Sequence, residues 1–403
     1  MSPPRPHLFA RSAFAERANR AIAGIWARGW TEKPRLDPDF LWAEGAKGYS
    51  AEDEISIRSE EDVADFRLRL EKLCAALTGE ARLNALGHTM AYGQLKGAIR
   101  KRHALGRLWR EQPELATTRL APPIIVLGQM RSGTTRVQRL LAADPRFSGT
   151  RFCDSHDPVP SHPDLRPLKA RAGLFLARRV NPWLETMHPF GAARTDEEIG
   201  WLAAALSPAA FEAQWHIPSF LAFSENRSAA PIYREFCRIL RTDAAWHGNA
   251  ARPRLLKCPQ FSEDLPELLA CFPDARIVLC ERDRDAVLAS SLSMVASQRA
   301  FQSDSHSEED LHREWERKIT LRERRTAAAL EQADRPLSRV CFRRLNDQPD
   351  QVLERVYRDL GHVYDDQAKA AAEGELALAS KGHHRKHRKQ IARLTPALRE
   401  TSG

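Results

Sequence analysis

The chain has 403 residues, 42% hydrophobic and 29% charged, enough apolar sequence for a large core, which excludes collagen-like, mucin-like and wholly disordered chains. Lys and Arg outnumber Asp and Glu by 62 to 53, a formal charge of +9. That favours anionic partners (phosphate- or sulfate-bearing ligands, nucleic acid, membrane surfaces) without choosing among them.

In the first 30 residues Arg11, Glu16, Arg17 and Arg20 interrupt any apolar stretch, so no secretory leader is expected. The apolar run 121–127 is far too short for a membrane span. Val63, Phe66, Leu68, Leu70, Leu73 and Leu77 recur among charged residues at helical spacing over 62–77. Leu86, Met90, Leu95, Ile99, Leu105 and Leu108 do so over 85–108. Residues 1–120 therefore read as a mostly helical region packing on a core, and 121–403 as an α/β domain. Pro122-Pro123 precedes the run 124–127, a strand of the kind buried on both faces, and Gly128 ends it. Val137, Leu140 and Leu141 then continue a helix from Thr135. Ser262 and Asp264 offer helix caps, with Pro266 in the first turn. A second buried strand is expected over 276–280, a helix capped by Asp285 after it, and a third strand over 339–343. Stretches 302–334 and 365–378 read as exposed helices, and 381–389 is a basic cluster. Alternating strands and helices predict a parallel β-sheet flanked by helices.

The seven cysteines are dispersed with no CxxC pair. They predict reduced thiols and a cytoplasmic location rather than a disulfide framework or zinc site. His383, His384 and His387 have no carboxylate or Cys nearby in sequence, so no metal site is expected there.

The segment 128–135, between strand and helix, reads Gly-Gln-Met-Arg-Ser-Gly-Thr-Thr. This is the context of a phosphate-binding loop: backbone N–H groups and a helix N-terminus converge on one spot, and glycines allow close approach. The spacing is that of G-x-x-x-x-G-K-[ST], but Thr134 stands where the triphosphate-binding lysine would be, and a cation is found instead at Arg131. Strand 276–280 lacks a terminal Asp that could hold Mg²⁺. Kinase or NTPase chemistry is therefore disfavoured but kept as an alternative. A basic nucleic-acid-binding module is the other alternative; it rests on net charge and 381–389 alone, and no recognition motif accompanies it.

On these residues the chain resembles the sulfotransferases that use 3′-phosphoadenosine 5′-phosphosulfate (PAPS), in their bacterial and tyrosylprotein branches. Segment 123–135, continuing to 140–145, is similar to their 5′-phosphosulfate loop. Segment 276–290 is similar to their 3′-phosphate segment, with Arg284 where proline is usual. Segment 255–260 resembles their L-K-S-P block, with Cys258 for the small hydroxyl residue and Pro259 where the cytosolic branch has a histidine. Segment 187–191 with Asp196, Glu197 and Glu198 is similar to a stretch lining the acceptor side, and 342–361 to the terminal strand and helix.

The resemblance implies a three-layer sandwich like that of the P-loop NTPases. PAPS would be the cosubstrate, with no metal required. It also implies in-line sulfuryl transfer to a hydroxyl or amine of a small molecule or peptide, with no nucleic acid and no membrane span. Ser132, Gly133, Thr134 and Thr135, with Arg131, would cradle the 5′-phosphate. Arg282 and Ser290 would hold the 3′-phosphate. Arg131 and Lys257 would stabilise charge on the transferring group. For the base, the resemblance points to stretch 150–160, expected to start as a strand, and within it to Asp154. His156 is the rival on its ordinary pKa, and Asp157 reads as a turn former before Pro158. The acceptor's identity and the oligomeric state are not legible.

Overall fold

The computed structural model describes residues 4–379; the basic cluster 381–389 lies outside them. Five parallel strands, β1 (Ile124–Leu127), β2 (Ser148–Gly149), β3 (Arg254–Leu256), β4 (Arg276–Glu281) and β5 (Leu337–Cys341), form one sheet in the order β2-β3-β1-β4-β5. Strand β1 pairs with β4 over its full length, Ile124 opposite Arg276 and Leu127 opposite Leu279. The run of side chains in β1 is buried throughout because alternate residues enter opposite layers. Ile125 and Leu127 join Leu256, Ile277 and Leu279 against Trp201, Tyr233, Phe236 and Phe261. Ile124 and Val126 join Leu255, Val278 and Val340 against Val137, Leu140, Val356 and Tyr357. This is the expected three-layer α/β sandwich.

The helices Glu60–Gly79 and Ala85–Glu111 match the helical spacing read from the sequence. They do not close a core by themselves. Phe66, Leu70, Leu73, Leu95 and Ile99 pack with Leu206, Phe211, Trp215, Phe220 and Leu221. A buried pair, Arg58 with Glu235 at 2.7 Å, and the Trp109 Nε1–H bond to Thr242 Oγ1 at 2.8 Å also tie this region to the rest.

Four expectations are corrected. Strand β5 begins and ends two residues earlier than expected, and Phe342 already opens the helix Phe342–Asp347. The helix Arg284–Ala300 is capped by Asp283, whose carboxylate accepts from Ala286 N at 2.9 Å, not by Asp285; Arg284 is simply its first residue. Stretch 150–160 does not continue a strand. The sheet stops at Gly149, and Phe152–His156 is a short helix in which Asp154 turns back to Arg151. Finally, the helix Glu308–Gln332 is not simply exposed. One face buries Leu311, Trp315 and Ile319. Its Lys318 and Arg322 are buried too, paired with Glu212 and Glu263, Lys318 also with Glu225. Charged composition misled here because the opposite charges arrive from distant segments.

Between the end of β2 at Gly149 and the start of β3 at Arg254 the chain makes one long, mainly helical excursion before returning to the sheet.

Candidate active site

In the order β2-β3-β1-β4-β5 the chain leaves β1 toward one side, to β2, and later crosses from β3 to β4 on the other side of β1; ligands in such sheets bind beyond the carboxyl ends of the strands at such a point. The sequence-predicted phosphate and sulfuryl contacts follow β1, β3 and β4 there.

After β1, Gly128 and Gly133 have φ of 147° and 96°, and Arg131, a non-glycine residue, has φ of 71°. Such positive values turn successive N–H groups toward one side and cost energy for any residue with a Cβ. Gly133 caps the helix Thr134–Ala142. A Cβ on it would lie 2.4 Å from the Phe342 ring, so only glycine fits. Ser132 Oγ donates to Gln129 O at 2.7 Å and closes the loop, while the Thr134 methyl turns back toward Gly128. Thr135 is half-buried in the first turn.

Arg131 folds across the loop. Its Nε donates to Ser290 Oγ at 2.9 Å and its Nη1 to Met187 O. Arg282, after β4, donates to Arg131 O at 2.7 Å and stacks on Phe342 at 4.8 Å. Burial, then the charge of Arg282, push Arg131 down to about 10. The two cations raise the local positive potential at this end of the sheet. Arg131, Arg282 and Ser290 are thus joined in one network, across 159 residues of sequence between Arg131 and Ser290.

Lys257 leaves the end of β3, buried. Its Nζ contacts Glu197 Oε2 at 2.5 Å and its backbone N donates to Glu198 Oε2 at 2.7 Å. Glu197 keeps 19% of its side chain exposed. Glu198 is fully buried with Oε1 unpartnered, and burial pushes its carboxyl up to about 8. Asp196 bonds His188 at 2.9 Å and Arg139 at 3.3 Å; burial opposes its charge, but His188, Arg139 and Lys257 outweigh it and hold the carboxyl low.

Asp154 does not occupy the place expected of a base. It is buried, with its carboxylate bonded to Arg151 at 2.6 Å, His247 at 3.1 Å and Arg166 at 3.2 Å. Burial works against its charge, yet His247, Arg151 and Arg166 outweigh it and hold Asp154 far below the ordinary carboxylate range. A carboxylate so stabilised is a weak proton acceptor with its lone pairs already used. His156 is exposed, its ring packed on Phe152 at 4.3 Å, while its carbonyl accepts from Lys101. Asp157 pairs with Lys169 at 3.4 Å.

Sequence reasoning did not single out Glu197, the partner of Lys257. The signal was present: the acidic run 196–198 was linked to the acceptor side, but its pairing with Lys257, 60 residues on, was not visible. Phe342 was missed likewise, as the ring beneath Arg282 and against Gly133.

Among the described residues, two sets of side chains bring potential metal-ligand atoms within 4.8 Å of one another: His188, Asp196 and Glu197, and Asp154, Asp243 and His247. Both are already engaged by cations, the first by Arg139 and Lys257, the second by Arg151, Arg166 and Arg254.

A parallel α/β sandwich in which a glycine-containing turn links the first strand to a helix, with threonine at the NTPase lysine position, has the layout of the P-loop-type folds. Residues 122–366 match the sulfotransferase family, and the chain belongs to it; the protein is a sulfotransferase, and its activity is sulfuryl transfer rather than the kinase or NTPase alternative. It is similar to a solved sulfotransferase, STF1, of Mycobacterium tuberculosis, with 25% identity over 90% of this chain and 100% of that one and a TM-score of 0.75. A sulfotransferase of Mycobacterium avium shares the fold, with a TM-score of 0.76 at 17% identity over 91% of this chain and 96% of that one. No curated protein matches the chain significantly. Among the described residues no helix is long and apolar enough to cross a membrane.

Proposed function

We propose that the sulfuryl donor is PAPS and that the acceptor is a small molecule or peptide presenting a hydroxyl or amine. The reading is supported by one observation: beyond the adjacent strands β1 and β4, Arg282 donates to the backbone O of Arg131 and the Arg131 side chain donates to Ser290, so both arginines and the serine meet at one place. In this reading the loop 131–135 binds the 5′-phosphate, and Arg282 with Ser290 the 3′-phosphate. Arg131 and Lys257 meet the charge that builds on the sulfuryl and bridging oxygens, work that a metal ion does in phosphoryl transfer. The free, mostly buried thiols support a reducing, cytoplasmic setting.

Glu197 is the base in this reading, in place of Asp154. It is partly exposed and touches the lysine that would engage the sulfuryl group. When Lys257 turns to a sulfuryl oxygen, Glu197 loses its counter-ion and becomes free to accept a proton. The acceptor's O–H proton passes to the Glu197 carboxylate and its electron pair forms the new O–S bond. The old S–O bond breaks toward the 5′-phosphate, leaving the 3′,5′-bisphosphate.

The test is transfer of radiolabelled sulfate from PAPS, without added metal, to a panel of phenols, steroids, sugars, lipids and tyrosine peptides. Glu197→Gln should lower kcat by about 10²–10⁴ while bisphosphate affinity is unchanged. Tighter binding of ATP–Mg²⁺ than of the bisphosphate would remove the donor assignment. A dead His156→Ala beside an active Glu197→Gln would move the base to the histidine.

A further inference from the structure

The helix Arg166–Val180, within the excursion between β2 and β3, carries apolar residues on the wrong side for a soluble protein. Arg166 and Leu174 face inward and are buried. On the outward side Leu165 is 48%, Leu168 64%, Phe175 59% and Leu176 54% exposed. At about 100° per residue, positions 165, 168, 172, 175, 176 and 179 fall on one face, opposite the buried one. Among the described residues, four of the nine large hydrophobic residues with high exposure lie in this one segment, so they form a patch rather than scattered exceptions.

The patch is not a frayed end. Arg166 anchors the start of the helix, to Asp154 at 3.2 Å and Asp164 at 2.8 Å. Ser12 Oγ donates to Arg179 O and Val180 O at the other end. The helix contains no Asp or Glu. Lys169, Arg171, Arg178 and Arg179 are exposed on and beside the apolar face. Lys169 and Arg178 reach Asp157 and Glu185 beyond the helix, and Arg179 lies over the Phe175 ring at 5.0 Å.

Apolar side chains standing outward among cations, on a rigidly mounted helix, suit a surface that is hydrocarbon just beneath a layer of negative charge. We infer that this helix docks the enzyme on an anionic lipid bilayer, lying in the headgroup region rather than crossing it. Charge complementarity favours this occupant over a second copy of the chain, which would set the same four cations against themselves. The inference rests on the fold and the exposed face, not on the identity of the sulfuryl donor. The helix is flanked by the segment carrying Asp154 and His156 and by Met187, whose carbonyl accepts from Arg131. Docking would therefore hold the acceptor side of the site near the membrane surface.

The test is co-sedimentation of the full chain with phosphatidylcholine vesicles, with and without phosphatidylglycerol. The expected result is binding to the anionic vesicles at least about tenfold tighter than to the neutral ones, weakening as salt rises. The variant Leu168→Gln/Phe175→Gln/Leu176→Gln should lose at least about tenfold of that binding. Lys169→Gln/Arg171→Gln should lose about fivefold per charge. All these side chains are exposed, so thermal midpoint and bisphosphoadenosine binding should stay at wild-type values and exclude misfolding as the cause. No binding to anionic vesicles at low salt, or equal binding by the triple variant, would overturn the inference. So would a wild-type dimer that the triple variant dissolves, which would make a second copy the occupant.

Discussion

Gly133→Ala tests the loop at its most constrained point. The residue holds φ of 96°, where a side chain costs about 1–2 kcal/mol. Its new Cβ would sit 2.4 Å and 2.9 Å from two Phe342 ring carbons, and overpacking of this kind costs about 1–3 kcal/mol. The two together come to about 2–5 kcal/mol. That strain can be relieved only by moving the loop, the ring, or both. Isothermal calorimetry with 3′,5′-bisphosphoadenosine should show affinity reduced by at least tenfold, since tenfold needs only about 1.4 kcal/mol of the total. A urea titration should show a lower midpoint as well. Phe342→Ala in the same chain removes the collision and leaves the backbone cost, so the double variant should regain part of the lost affinity. Phe342→Ala alone gives up the ring beneath Arg282, about 0.5–1 kcal/mol, and provides the correction. Wild-type affinity in Gly133→Ala, or a double variant no better than the single one, would refute the geometry of the loop.

The cation sites should separate in kinetics: Arg282→Ala and Ser290→Ala should mainly weaken bisphosphate binding, because contacts remote from the reacting sulfur persist through the reaction. Lys257→Ala should mainly lower kcat at saturating donor. Glu198 is raised to about 8 by burial, well above the unfolded value, so the folded state holds a proton that the unfolded state has released. Its contribution to stability is complete below about pH 4.5 and is lost as pH rises toward 8, up to about 4–5 kcal/mol in all. Glu198→Gln should therefore gain on the wild type in urea midpoint from pH 5 to pH 8, and a pH-independent difference would contradict this. Asp154→Asn should destabilise the fold by about 3–5 kcal/mol, as removal of one partner from a buried ion pair does. At a temperature where the variant stays folded, turnover should be largely retained; a folded but inactive variant would return Asp154 to the chemistry.

What could be read in the sequence was local. Strand β1 was legible because four apolar residues stand between Pro122-Pro123 and Gly128. The loop after β1 was legible because Ser132, Gly133, Thr134 and Thr135 stand together between the strand and the helix. Long-range electrostatics were not. Asp154 looked available because nothing in the sequence shows that Arg151, Arg166 and, 93 residues on, His247 converge on it. Lys318 and Arg322 looked solvated because Glu212, Glu225 and Glu263 come from other segments. Charge on a sequence says nothing about the charge that will face it, and each of these misreadings is of that kind. The boundary shifts at β5 and at Asp283 are of a different sort, being ends where strand and cap signals overlap.

The excursion between Gly149 and Arg254 divides the enzyme in an unequal way. The loop after β1 and the residues following β4 frame one half of the crevice within short reach of the sheet, and their positions are fixed by strands that cannot shift without disturbing both hydrophobic layers. The other half is built from a single uninterrupted length of chain that enters and leaves through neighbouring strands, β2 and β3. That length reaches the first half through Met187 O on Arg131, meets Lys257 after β3 through Glu197, and supplies Trp201, Tyr233 and Phe236 to one of the layers against the sheet. Its core-facing positions are held by those layers, so the freedom to change lies in its outward-facing positions. Descendants of one such ancestor could diverge widely in what they modify while still drawing on the same activated sulfate.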